Sequence, residues 1–260
     1  MSVLGSGETI RVRPVLVIPF TCSGANPTPE SGGGQQVPLR LVSQPVVIAH
    51  RGASAAFPEN TVEAFHGARE AGADWVELDA RRTADGALVV HHDAALADGR
   101  VIVDLARHEL PASVPTLAEA LDACHGMGVN IEIKNNHPDP DHDPGEIVAE
   151  GVVALLAERD GRDEVLISSF NPDTLLRVRA RAPHLATALL VVEPHAEVVE
   201  LLLEAGHRAL HPYDWFVDVE LVTRCHDAGI SVNVWTVDDP ARMQELLDHG
   251  VDGLCTNVPH

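Results

Sequence analysis

Eight short apolar runs, alternating with seven or eight amphipathic segments from Val46 onward, predict an α/β protein built as a closed (β/α)8 barrel of the TIM type. Two further observations narrow the choice. Five connections place a glycine just before a new apolar run: Glu70-Ala71-Gly72, Gly126-Met127-Gly128, Glu204-Ala205-Gly206, Asp227-Ala228-Gly229 and Asp248-His249-Gly250. A glycine there closes a helix in the left-handed conformation and turns the chain into the next strand. An open doubly wound sheet would favour a GxGxxG or Walker loop, and the sequence contains neither. With 260 residues and 45% hydrophobic content, the chain can bury this core as a single domain with a small insertion after strand two.

The elements follow in order. Strand one (46–49) leads to a helix beginning at Asn60, which can cap it while Glu63 reaches back, and which ends at Gly72. Strand two (74–79) is followed by the apolar run Leu88 to His92 and an irregular insertion reaching Pro115. A second helix starts with the capping box Thr116 and Glu119 and stops near Gly126. Strand three is Val129 to Lys134, with a helix over 146–158; strand four is Val165 to Ser168, followed by Asn171-Pro172, a cap and a first-turn proline. Strands five to eight are Ala188 to Val192, Ala209 to His211, Ser231 to Thr236 and Gly253 to Thr256. Helices over 196–205 and 218–228, and one opened by Asp239-Pro240, separate them.

Before the barrel domain at 45–260, residues 1–44 hold no apolar periodicity and include the Gly- and Pro-rich stretch Pro27 to Gly34, so a disordered N-terminal extension is expected. Arg11 and Arg13 followed by Val15 to Phe20 resemble a signal peptide only faintly, because the apolar run is short and contains Pro19. No stretch is long and apolar enough to predict a transmembrane segment. Cys22, Cys124, Cys225 and Cys255 are scattered without CxxC spacing, which argues against a zinc site or a disulfide framework. A reducing compartment, the cytoplasm, is therefore expected, with secretion as the lesser alternative. Acidic residues outnumber basic ones 39 to 18, a formal charge of −21 that repels nucleic acid and anionic membranes. A small anionic substrate would meet the same field unless its site carried cations of its own. Lys134 is the only lysine, every other basic residue being arginine; chance in an arginine-biased composition is the plain alternative to a functional reason.

Titratable residues recur where apolar runs end: His50-Arg51-Gly52 after the first, Glu77 and Asp79 on one face of the second, His91-His92-Asp93 after the third, and Glu132 and Lys134 in the IEIK run. In a parallel barrel these carboxyl ends face one mouth, so the residues converge on one site. Glu77, Asp79 and Glu132 form an oxygen-rich set suited to one hard divalent cation, Mg²⁺ or Ca²⁺, against the alternative of polar barrel residues paired with arginines. Without a cation the three would repel and one should stay protonated. His50 and His92 are the acid/base candidates, and His91 alternates to the opposite face. Asp139-Pro140-Asp141-His142-Asp143 with Glu150 mimics the spacing of a calcium loop. The position that demands glycine is Pro144, so we read an acidic, solvated loop.

The succession HRG, PENT before a helix, an ExD strand and a strand ending in HD is similar to the signature of the glycerophosphodiester phosphodiesterase family. Here it is carried by His50-Arg51-Gly52, Pro58-Glu59-Asn60-Thr61, Glu77-Leu78-Asp79 and His92-Asp93. The resemblance continues through Ile131 to Lys134, Ser168-Ser169-Phe170, Val234 to Val237 and Gly250 to Asn257, covering 46–258. It implies a metal-dependent phosphodiesterase that splits a small glycerophosphodiester into glycerol 3-phosphate and an alcohol, with Glu77, Asp79 and Glu132 on the metal. It also implies that the metal polarises a phosphoryl oxygen while His50 and His92 move protons. Arg51 and Lys134 would hold the non-bridging phosphate oxygens, with ion pairing to the same carboxylates as the alternative. Trp235 would wall the pocket or belong to the core; Ser169 and Phe170 are weaker candidates for that wall. Glu59 either supports Arg51 or is a polar residue before a helix cap. Two rival functions keep the barrel: a lysophospholipase D-type phosphodiesterase, and a non-catalytic phosphate-binding barrel, which would be expected to have lost one of these histidines or carboxylates. Oligomeric state has no signature in the sequence.

Overall fold

A computed structural model describes residues 44–259. All but the last residue of the expected extension at 1–44, Cys22 included, lies outside the described residues. The strands are β1 (Val46–His50), β2 (Trp75–Arg82), β3 (Leu88–Val90), β4 (Gly128–Ile133), β5 (Val165–Ser169), β6 (Ala186–Val191), β7 (Ala209–Pro212), β8 (Ser231–Val234) and β9 (Gly253–Thr256). The helices are α1 (Val62–Ala71), α2 (Leu117–Ala123), α3 (Ile147–Glu158), α4 (Pro172–Arg181), α5 (Val198–Ala205), α6 (Val219–Asp227) and α7 (Pro240–His249). All of these strands except β3 run parallel, and the ring closes because β1 pairs with both β2 and β9. The expected barrel is therefore present, with strand boundaries moved by up to three residues.

Local chemistry sets the helix ends. Thr116 Oγ1 accepts from the Glu119 amide at 3.2 Å while the Glu119 carboxylate accepts from the Thr116 amide at 2.7 Å, the reciprocal box expected there, a cap worth about 1 kcal/mol. Asn171 and Asp239 cap α4 and α7, each followed by proline in the first turn. Gly72 ends α1 with φ 88°, a conformation that L residues with a Cβ rarely adopt. The α1 cap differs from expectation: Thr61 Oγ1, not Asn60, accepts from the Ala64 amide. Asn60 sits one residue earlier at φ 58°, and its side chain turns into the barrel.

Two contiguous apolar clusters fill the space between sheet and helices. One centres on Phe65, Leu78, Leu117, Leu121, Ile131 and Ile133, the other on Leu202, Leu210, Leu221, Val232 and Leu246. The insertion after β2 has a small core of its own, Val89, Leu96, Ile102, Leu110 and Val114. The run Leu88 to His92 is not a continuation of the second strand. β3 turns back antiparallel on β2, pairing Ala80 with Val90, because β2 rises three residues past Asp79 before the chain reverses. His92 thus reaches the mouth by returning to it, and the His91 amide donates to the Asp79 carbonyl at 3.0 Å.

Candidate active site

Register brings the acidic residues together. Across neighbouring strands His50 lies beside Glu77, and Asp79 lies beside Glu132. Since Glu77 and Asp79 share one face of β2, all three carboxylates point into the barrel, each nine-tenths or more buried. One oxygen from each lies within 4.8 Å of the others. Glu77 Oε1 has no donor, while Asp79 Oδ1 and Glu132 Oε1 face the Lys134 ammonium at 3.0 and 2.5 Å. Burial, and then the charges of Asp79 and Glu132, push the Glu77 carboxyl well above its ordinary range. Burial likewise raises Glu132, against the pull of Lys134, whereas at Asp79 burial is outweighed by Lys134 and Arg51, which hold it at about 2. Three buried carboxylates sharing one ammonium, with an oxygen lacking any donor, fit a hard divalent cation.

The remaining expected residues surround this cluster. His50, Arg51, Glu77, His92, Glu132, Lys134 and Trp235 line one cleft, which also reaches His211 and Asn233 in the barrel interior. Arg51, at φ 56°, donates its backbone amide to Glu77 Oε2 at 3.0 Å. Its guanidinium binds both oxygens of Glu59 at 3.0 and 2.9 Å and approaches Asp79 at 3.4 Å. Glu59 is thus in direct contact with Arg51. The next residue, Gly52, packs so closely on α1 that a Cβ would stand 2.6 Å from the Ala64 backbone. Trp235 donates Nε1–H to the His211 carbonyl at 2.7 Å, with Phe170 edge-on at 5.4 Å and Tyr213 tilted at 5.3 Å. Phe170 lines the cleft, but Ser169 does not. Its hydroxyl donates to the Ile133 carbonyl and accepts from the Asn171 amide, tying two strand ends together.

Hydrogen bonds fix the tautomers of the two histidines. His50 Nδ1 is 2.8 Å from Asn257 Oδ1, and the Asn257 amide nitrogen donates to Asp238. An amide oxygen only accepts, so His50 carries its proton on Nδ1 and leaves Nε2 free. His92 Nδ1 is 2.7 Å from the Asp93 carboxylate, with the same consequence. Burial is the main force lowering both imidazoles below 6.5, aided by Arg51 at His50 and by Lys134 at His92. His91 lines a different cleft, between α1 and the insertion.

Several participants receive no role in the site from the sequence reading. Asn60 donates to Asp79 Oδ2 at 2.7 Å and so orients that carboxylate. Asn257 and Asp238 hold His50 from the far side of the ring. Asn60 lies inside the PENT signature, and the helix-start ambiguity at Asn60-Thr61, where either residue can cap and just one is needed, is the second signal that could have flagged it.

With this geometry in hand, comparison with known proteins is specific. The model of the glycerophosphoryl diester phosphodiesterase family matches residues 50–260. A protein named glycerophosphodiester phosphodiesterase from Caldanaerobacter subterraneus is 35% identical over 82% of this chain and 94% of its own length. A probable glycerophosphodiester phosphodiesterase 2 of Mycobacterium tuberculosis is 31% identical over 87% of this chain and 92% of its own. Among solved structures, an Oleispira antarctica phosphodiesterase in complex with the product sn-glycerol-3-phosphate superposes with TM-score 0.76. It shares 31% identity over 83% of this chain and 94% of its own.

Proposed function

Because this chain belongs to the glycerophosphoryl diester phosphodiesterase family, we propose that it hydrolyses small glycerophosphodiesters to sn-glycerol 3-phosphate and an alcohol, with His50 and His92 moving the protons. The observation that carries this reading is one cleft holding a buried carboxylate triad, two imidazoles with free Nε2 and two cationic side chains. Glu77, Asp79 and Glu132 would hold one divalent cation, Mg²⁺ or Ca²⁺, which when bound supplies charge to polarise a phosphoryl oxygen. Lys134, held charged by Asp79 and Glu132 despite its burial, and Arg51, steadied by Glu59, offer donors to the non-bridging oxygens. The histidines stand ready, neutral at pH 7, to take a proton from the attacking water and, once charged, to return one to the leaving alcohol. Trp235 and Phe170 wall the cleft on the side of β8 and β5.

The titratable side chains that line the cleft, His50, Arg51, Glu77, His92, Glu132 and Lys134, favour a short polar head group. Trp215 is 78% exposed and, with Phe216, stands outside the cleft lining, so the test includes a lysophospholipid. Release from glycerophosphocholine, glycerophosphoethanolamine and a lysophospholipid, each with Mg²⁺, Ca²⁺ or chelator, checks the reading. Turnover of none overturns it, and preference for the lysophospholipid selects the lysophospholipase D alternative. Among the described residues no helix is long and apolar enough to cross a membrane. Cys124, Cys225 and Cys255 are free and buried, which supports the cytoplasm as the compartment. We retain 45–260 as the catalytic unit.

Two results are expected here. The acid limb of kcat/KM lies below pH 6.5, since a base with a lowered pKa stays deprotonated, and active, to lower pH than free imidazole. A limb above 6.5 contradicts the neutral histidines. Lys134→Ala raises KM and lowers kcat, each by roughly tenfold or more, because its charge serves substrate and transition state alike. Lys134→Arg restores only part of this, as a planar fork replaces a compact ammonium between Asp79 and Glu132. Steady-state kinetics with a separate metal titration decide it, and an unchanged KM removes Lys134 from substrate binding.

A further inference from the structure

β2 carries a third side chain in line with its two carboxylates. Counting by twos from Glu77 and Asp79, Arg81 lies on the same face, one step nearer the reversal into β3, and it is 3% exposed. Its guanidinium does not reach the carboxylate cluster. Instead Nε and an Nη donate to the His92 carbonyl at 2.9 and 2.6 Å, while the other Nη donates to Asp141 Oδ2 at 2.5 Å. Asp139 Oδ2 accepts at 3.4 Å from the same Nη that serves the His92 carbonyl. Asp141, also buried, lies in the loop between β4 and α3, part of the acidic stretch that resembles a calcium loop in sequence.

The arrangement is out of proportion to a structural pin. A buried ion pair contributes little net stability, because taking both charges out of water offsets most of their attraction. What this pair does contribute is geometry: a planar fork with two donors on one carbonyl fixes both the position and the direction of that peptide. The carbonyl belongs to a residue whose own ring, among the described residues, hydrogen-bonds to just one side chain, the exposed Asp93. His92 also follows a strand of three residues, so the ladder itself holds it loosely.

We propose that Arg81, clamped by Asp141, is a positioning residue for His92: by gripping the His92 carbonyl it sets the imidazole over the carboxylate cluster. The proposal rests on the reading that His92 transfers a proton. Arg81 touches no substrate and acts only through His92. The β4–α3 loop thereby becomes part of the active site at one remove, since Asp141 holds the guanidinium that holds the histidine.

The test is a double-mutant cycle on the full chain: wild type, Arg81→Lys, His92→Ala and the double variant, with kcat, KM, metal affinity and melting temperature for each. Arg81→Lys keeps a cation for Asp141 but has no fork to span both partners. It should lower kcat roughly 10- to 100-fold, as loss of a partner that orients an active-site ligand typically does, with KM and metal affinity little changed. In the His92→Ala background the same substitution should leave kcat nearly unaltered, because there is no ring left to position. A merely structural role predicts equal losses in both backgrounds, and that result overturns the proposal, as does wild-type kcat in Arg81→Lys. If His92→Ala alone retains wild-type kcat, the proton-transfer reading fails first and positioning fails with it, an outcome visible in the single variant. Should Arg81→Lys not fold, Asp141→Asn runs the same cycle, since it leaves Arg81 in place but loosens its clamp.

Discussion

Replacing His50 or His92 by alanine is expected to lower kcat by roughly 10²- to 10⁴-fold, the range that general acid–base catalysis supplies. Neither ring belongs to the carboxylate triad, so titration should return near wild-type affinity for the divalent cation in both variants. The two need not be equal. His50 is locked by Asn257, itself tied to Asp238, whereas His92 leans on the exposed Asp93, so Asn257→Ala should cost more activity than Asp93→Ala. Steady-state kinetics of these variants, beside melting curves that show each is folded, are decisive. If both histidine variants turn over near the wild-type rate, the proton carriers lie elsewhere, and Glu59 is the next group to replace.

Stripping the divalent cation should abolish turnover outright, and its return should raise the melting temperature by mass action, by about 2.7 kcal/mol of stability at a hundred times Kd. Electrostatics gives this prediction a second edge. Glu77 has its carboxyl pushed well above the usual range by burial and by its two acidic neighbours, so its charge opposes folding when no cation is bound. Glu77→Gln should therefore leave the cation-free protein as stable as wild type or more so, while cancelling most of the stabilisation on adding Mg²⁺ or Ca²⁺. Full activity in excess chelator, or an undiminished thermal response in Glu77→Gln, rules out the triad as the metal site.

Much of the scaffold was legible because period-two and period-3.6 patterns are local. Glu77-Leu78-Asp79 announces two inward carboxylates by alternation alone, and Asn171-Pro172 and Asp239-Pro240 mark helix starts without tertiary help. Failures cluster where a side chain's partner lies far along the chain. Asn60 reads as a cap because asparagine caps well, yet its amide serves Asp79, nineteen residues on, and Thr61 takes the cap. Asn257 is a polar residue near a strand end until the ring closes and sets it against His50. Arg81 draws no reading at all from the sequence, since nothing in its neighbourhood reveals a loop sixty residues away arriving to bury it. His92 lines the cleft from an antiparallel return strand, a direction that a three-residue apolar run cannot reveal by pattern.

The seam between β1 and β9 has a consequence for the life of the molecule. His50 and Asn257 are separated by 207 positions, and β1 gains its second neighbour only when Gly253 to Thr256 dock beside it. Contacts of such long sequence separation form late, since the entropy of closing the largest loop must be met before they stabilise anything. During synthesis, a nascent chain can therefore assemble β2 to β8 and even gather the three carboxylates while one of its histidines is still unaligned. On the proposed role of His50, competence would arrive as a final step, with β9 completing both the ring and the tautomer of that histidine.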